Sequence, residues 1–271
     1  MIASMACFVS GDALVKLSGQ SLPMYQVIFV RSVCGAILLL GLALALRAPH
    51  LGKTLSSGRV RARIVLDAGA SIGFLTALVH LPLASATAIN QATPLIITAI
   101  AMVVLKESVS ARKWLAIVSG FADVLLVVQP AGKDFNAWSL VVLASSFLTA
   151  ARDVVTRTVD RRISGLQIVL ASTVCLIPVS AAWGLADDWQ PVTAMALLVL
   201  AGAALFVSAA YLLITFALRE GAVAVVVPFR YTALIFAAIL GWAVWGDLPD
   251  GFAWSGIALI VTTGIYLLRS R

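Results

Sequence analysis

The 271-residue chain is 62% hydrophobic and 11% charged, with a mean hydropathy of +1.05. A soluble domain, at roughly 45–50% apolar, has no interior large enough for that surplus, so much of it must face lipid. The net charge of +7 would suggest nucleic acid in a soluble protein, but the basic residues fall in short segments between apolar runs, where membrane topology accounts for them.

A bilayer core takes roughly 20 helical residues per crossing. Breakers and charges divide the chain into ten such runs, predicted as spans 1 to 10 over residues 2–17, 24–46, 64–81, 84–105, 114–128, 138–159, 166–185, 194–218, 222–245 and 252–268. Met1 leads almost directly into an apolar run with no basic segment or small-residue cleavage site, so no secretory signal peptide is expected. Links such as Leu81, Pro82, Leu83 and Arg219, Glu220, Gly221 are short enough to force antiparallel neighbours. Cys7, Cys34 and Cys175 lie in apolar runs without pairing or metal-binding spacing and read as small buried hydrophobes.

Placing the N-terminus in the cytoplasm puts 14 of the 19 Lys and Arg residues inside, among them Arg47, Arg59, Arg61, Arg63, Lys113, Arg161 and Arg162, and leaves only Lys16 and Lys133 outside. Both termini are therefore predicted to be cytoplasmic. Arg31, Arg152 and Arg230 fall within spans.

The chain also matches itself. At an offset of 141, Asp12 and Lys16 align with Asp153 and Arg157, and Gln26 with Gln167; at 140, Glu107 aligns with Asp247 and Trp114 with Trp254. Five spans per copy is an odd number, so the second copy enters the membrane from the opposite side. The fold expected is all-α and polytopic, ten transmembrane helices in two inverted five-helix repeats (5+5), residues 1–130 and 136–268, around a cavity on a pseudo-two-fold axis.

At this point the chain resembles the drug/metabolite transporter superfamily, in its EamA-type branch of ten-helix bacterial carriers. The resemblance rests on Phe29, Val30, Arg31 and Ser32; on Ala92, Thr93, Pro94 and Leu95, with Lys106, Glu107 and Ser108; on Gly120 and Pro130; and on Pro228, Phe229, Arg230 and Tyr231, with Gly241, Gly246 and Asp247. It covers essentially the whole chain. It implies a central cavity lined by spans 3, 4, 8 and 9, a bacterial inner (plasma) membrane location, and transport of amino acids, related metabolites or nucleoside-type metabolites such as S-adenosylmethionine. Asp123 departs from the family, which usually has glycine there.

A charged side chain at membrane depth costs on the order of 2.5–3.5 kcal/mol, so it normally meets a partner or a watery cavity. The leading candidates for substrate binding are Asn90 and Gln91, which the 140 offset matches with Arg230 and Tyr231. Arg230 offers five fixed donors to a carboxylate or phosphate, or else pairs with an acid and locks span 9. Phe74 and Tyr211, near mid-span, either stack on substrate or simply pack. Asp12, Lys16 and Arg31 lie at similar depth and suggest an ion-pair network, read either as a clamp between spans 1 and 2 or as a gate; His80 and Asp153 join that gate set. Near the inner face, Arg152, Asp153 and Arg157 form the counterpart of that network, and they equally suit snorkelling to the interface. Asp67 is a candidate inner gate residue, and Gly69 with Gly73 allows close helix contact.

The sequence offers no P-loop, no His-Glu-x-x-His and no Gly-x-Ser-x-Gly backed by a triad, so it reads as a secondary carrier and not an enzyme. No catalytic residue, metal or cofactor is assigned. The expected partners are a small-molecule substrate (an amino acid or related polar metabolite) and the lipid bilayer, with no nucleic acid, the chain acting as a monomer or weak homodimer. Export of amino acids is the leading reading; the alternative is exchange or import of a nucleoside-type metabolite such as S-adenosylmethionine.

Overall fold

The computed structural model describes residues 1–47, 51–93, 95–97, 100, 136–220 and 227–247. Among the described residues every regular element is helical. In chain order these are α1 (Ile2–Ser18), α2 (Met24–Ala45), α3 (Leu51–Ser56), α4 (Gly58–Leu78), α5 (Leu83–Asn90), α6 (Trp138–Thr158) and α7 (Gly165–Trp183), then α8 (Ala194–Glu220) and α9 (Thr232–Trp245). Short 3₁₀ turns cover Gly184–Ala186 and Val227–Tyr231. Predicted spans 5 and 10, together with Lys106, Glu107, Gly120, Asp123 and Pro130, lie outside the described residues.

Among the described residues four helical stretches are long and apolar enough to cross a membrane, Met24–Ala45, Trp138–Thr158, Gly165–Ala186 and Ala194–Ala217, and Phe229–Trp245 is a shorter apolar one. The distribution of polarity is that of a protein dissolved in lipid. Leu44 and Leu198 stand 72% and 70% exposed, and Ile37, Phe216 and Trp242 are also open, whereas Arg63, Asp67, Arg152, Asp153 and Arg230 are buried.

Three predicted spans differ from the structure in shape. Span 3, expected from residue 64, starts as α4 at Gly58. The arginines at 59, 61 and 63 depress local hydropathy, yet Arg59 and Arg61 point outward while Arg63 turns into the bundle. Span 4, expected as one helix over 84–105, is interrupted after α5. The Gln91 N–H donates to both Thr87 O and Ala88 O at 3.1 Å, and the Ala92 N–H to Ile89 O at 3.0 Å, tightening the last turn. Pro94 has no N–H to offer the Asn90 carbonyl, and the Thr93 hydroxyl donates to that carbonyl at 2.7 Å instead. Span 9, expected as one helix from residue 222, is described from Val227, where a 3₁₀ turn over Val227–Tyr231 gives way to α9. This turn and the one after α5 sit at matched positions 140 residues apart.

The helix pairings follow a pattern. α4 lies along α6 and α1 along α8, α2 packs on α7, α5 packs on α9, and α1 and α6 also touch α9 and α5 respectively. Exchanging α1, α2, α4 and α5 for α6, α7, α8 and α9 maps this set onto itself. Small residues allow the close approaches: a Cβ on Gly69 would stand 3.1 Å from Leu148 Cδ1, one on Gly73 would run into Ser145, and one on Gly11 would reach 2.5 Å from Val207 Cγ2.

The matched glutamines occupy the same position, the third residue of α2 and of α7. Gln167 completes a capping box with Ser164, whose N–H donates to Gln167 Oε1 at 2.7 Å. Gln26 follows Pro23, which has no side chain to reciprocate. It binds the loop after α7, Nε2 donating to Gln190 O at 2.6 Å and Oε1 accepting from the Gln190 N–H at 3.0 Å.

Candidate functional site

A central cavity with about 840 Å³ of space not filled by atoms, its open mouth included, lies where α1, α2, α4, α5, α6 and α8 converge on the 3₁₀ turn. Of the predicted substrate-binding residues, Asn90, Gln91, Phe74, Tyr211 and Arg230 line it, and so do Asp12 and Arg31 from the predicted gate set. Tyr231 does not. Successive residues in a 3₁₀ turn point about 120° apart, and with Arg230 facing the cavity Tyr231 packs on Ala88 and Leu234.

Beneath the cavity runs a chain of buried ion pairs. Arg152 donates from Nη1 to Asp67 Oδ1 at 2.7 Å and from Nε and Nη2 to Asp153 Oδ1 at 3.0 and 2.8 Å. Arg230 Nη1 donates to Asp153 Oδ2 at 2.8 Å. At the other end Arg63 stands 4.0 Å from Asp67 Oδ2 and donates to the hydroxyls of Thr156, at 3.0 Å, and Ser172. The Tyr211 hydroxyl donates to Asp67 Oδ1 at 3.3 Å, with the Arg152 guanidinium 5.5 Å from the centre of its ring. The series ties α4, α6, α8 and the 3₁₀ turn before α9 into one unit. Gln91 adds α5, its Nε2 donating to Arg230 O at 2.8 Å.

This arrangement decides two readings that the sequence left open and corrects two others. Arg152 and Asp153 take the network form and not the snorkelling one; both are buried and paired. Arg230 takes the acid-paired form of its two readings while still presenting a surface to the cavity. Lys16 joins no network with Asp12: its Nζ donates to Leu81 O at 2.6 Å and lies 5.0 Å from the centre of the Trp245 ring. A lysine stem long enough to reach the end of its helix finds a free carbonyl there. His80 is also apart from Asp12, stacked on Trp138 with ring centroids 4.2 Å apart.

Asp12 and Arg31 remain in the cavity. Among the described residues neither side chain makes an ion pair or hydrogen bond at contact distance, although each lies in the other's field. Sequence reading missed Arg63 as a buried charge and did not pair Arg152 with Asp67. The spacing of Arg63 and Asp67, one helical turn apart, was the available signal.

An apolar exterior around a buried, charge-lined cavity is the arrangement of a membrane transporter of small molecules. The chain belongs to the EamA-like transporter family, whose model matches residues 1–129 and again residues 136–270, and with it to the drug/metabolite transporter superfamily. Similar proteins include a riboflavin transporter of Brucella anthropi, 25% identical over 99% of this chain and 97% of that one. A pseudopaline exporter of Pseudomonas aeruginosa is 26% identical over 100% and 96%. An S-adenosylmethionine uptake transporter of Rickettsia prowazekii is 23% identical over 96% and 88%. A crystal structure 18% identical in sequence shares the fold, with a TM-score of 0.74 over 99% of this chain and 95% of that one.

Proposed function

We propose that this chain is a secondary carrier of the bacterial inner membrane that exports amino acids or closely related zwitterionic metabolites by alternating access, with both termini cytoplasmic. The observation that carries the reading is the pair Asp12 and Arg31, opposite charges lining one cavity without contacting each other. A zwitterion completes both, its ammonium toward Asp12 and Asn90 and its carboxylate toward Arg31, while Phe74 and Tyr211 bound the side chain. Gln91 holds the 3₁₀ turn through Arg230 O, so it positions the wall as well as lining it. Arg230, spent on Asp153, acts chiefly in the latch below the cavity.

Two inverted repeats, residues 1–130 and 136–268, supply the mechanism. The double family match and the self-mapping helix pairings support them, and rocking one arrangement into its counterpart would open the cavity on alternate sides. The ion-pair chain from Arg63 to Arg230 then closes the inner side.

A second reading, exchange or import of a nucleoside-type metabolite such as S-adenosylmethionine, draws on the aromatic wall of Phe74, Tyr211 and Phe8, which meets Tyr211 edge-on at 5.0 Å, and on the Rickettsia relative. Counterflow in proteoliposomes separates the two. Labelled amino acids should exchange and be slowed by Arg31→Ala and Asp12→Asn, the two charges that line the cavity. Unchanged rates in both variants would refute the cavity assignment, and exchange of S-adenosylmethionine alone would establish the second reading.

A further inference from the structure

A second chamber, about 390 Å³ by the same measure, opens beside the central cavity between α2, α4, α7 and α8, and shares Arg31, Ser71, Val207 and Tyr211 with it. Arg31, only 8% exposed, forms part of both walls. The rest of the lining is largely hydroxyl, including Ser32, Ser71 and Ser208. Among the described residues the Ser32, Ser71 and Ser208 side chains have no hydrogen-bond partner, so their O–H groups are free to serve whatever enters the chamber.

We infer that this side chamber is an anionic subsite, built to take the carboxylate of a substrate whose remainder lies in the central cavity. Three observations carry it. Arg31 supplies the planar donor fork that matches a carboxylate. The neighbouring hydroxyls, unlike amides or carboxylates, can all turn donor toward one anion. Charge balance points the same way: in the two chambers and the ion-pair chain beneath them, Arg31, Arg63, Arg152 and Arg230 stand against Asp12, Asp67 and Asp153, one positive charge in excess. Asp67 borders the chamber too, but its Oδ1 is taken by Arg152 and Tyr211 and its Oδ2 faces Arg63, so its charge is answered from within the protein.

Gly35 keeps the space open. A Cβ there would stand 3.3 Å from Thr173 Cγ2 and 3.5 Å from Ser208 Oγ, inside the chamber and against one of its donors.

The inference rests on the zwitterion reading above and sharpens it, so the test separates the two. Full-length protein in proteoliposomes is assayed by counterflow with labelled alanine, leucine, glutamate, S-adenosylmethionine and riboflavin, and each transported compound that carries an α-carboxylate is competed with its free acid and with the corresponding α-carboxamide, riboflavin serving as the substrate without a carboxylate. The wild type should prefer acid over amide by about tenfold or more, the worth of a charge-assisted hydrogen-bond set. Gly35→Ala and Ser208→Ala should each cut that preference several-fold by raising KM, with maximal rate little changed. Arg31→Lys, which keeps the charge but loses the fork, should fall between wild type and Arg31→Ala. Absence of any amino-acid counterflow in the wild type refutes the zwitterion reading. Robust transport with an acid-to-amide preference unaltered by Gly35→Ala and Ser208→Ala refutes the subsite. Replacing chloride by gluconate covers the remaining source of anion: transport that needs chloride and shows no acid preference would mean that the chamber holds a free inorganic anion, which also overturns the proposal.

Discussion

Asp153 holds two cations at once, while Asp12, its counterpart 141 residues earlier, holds none at contact distance. The same side chain in equivalent places therefore has opposite energetic roles. Breaking a buried ion pair strands the surviving charge and costs about 3–5 kcal/mol; Asp153→Asn strands part of two. It should lower the melting temperature of the detergent-purified protein clearly and abolish most transport. Asp12→Asn should leave melting nearly unchanged and raise the KM for a cationic or zwitterionic substrate about tenfold. Differential scanning fluorimetry beside counterflow decides; equal melting losses in both variants would contradict this division. Asn90, Gln91 and Arg230 could be found from the sequence because polar residues at matched mid-span positions are costly in lipid and must meet a cavity or a partner. The acid that Arg230 meets could not. It lies 77 residues away on another helix, and which helix packs against which is set by small-residue contacts such as Gly69 on Leu148, not by hydropathy.

At the scale of elements, hydropathy reads the length of a helix well and its interruptions poorly. α1, α2, α6, α7 and α8 begin and end within a few residues of their predicted limits, because water and lipid sort their ends. The turn after Asn90 and the 3₁₀ turn at Val227–Tyr231 leave an apolar run apolar, so a sliding window passes over them. They matter to function because backbone that leaves the α-helical ladder exposes polar groups to a cavity. Thr93→Val removes the hydroxyl that caps the Asn90 carbonyl. It should cost about 1 kcal/mol of stability and reduce transport more than an equally destabilising change elsewhere, a comparison that melting and counterflow on the same preparation provide. Glycines give a second contrast. Gly69→Val on the α4 face against α6 should reduce the yield of monodisperse protein and its activity, whereas Gly41→Ala, with nothing within 4 Å, should be silent. Equal tolerance of both would mean that α4 and α6 are not closely packed in the membrane.

For the whole molecule the helix pairings are symmetric under exchange of the halves, but the charges are not. The residues equivalent to Arg152 and Arg230, which grip Asp153, are Gly11 and Asn90, both neutral. One of the two faces that the proposed two-fold axis exchanges is thus latched by ion pairs and the other is not. On the proposed topology Asp153 lies about 8 Å from the cytoplasmic end of α6, five residues before it at 1.5 Å per residue, so the latch lies toward the inner side. A carrier with a stabilising latch on one face only should rest with that face closed and spend binding energy to release it. This can be read by chemical access. In a background with Cys7, Cys34 and Cys175 replaced by serine, a single cysteine at Thr87, which lines the cavity, should react with a membrane-impermeant maleimide from the outer side of oriented vesicles and much less from the inner side. Adding Asp153→Asn should move the balance toward inner labelling, since the equilibrium then loses what held it. Inner-side labelling of the unlatched and latched proteins alike would invert the topology, and outer labelling unaffected by Asp153→Asn would leave the ion-pair chain a structural fastening and not a gate.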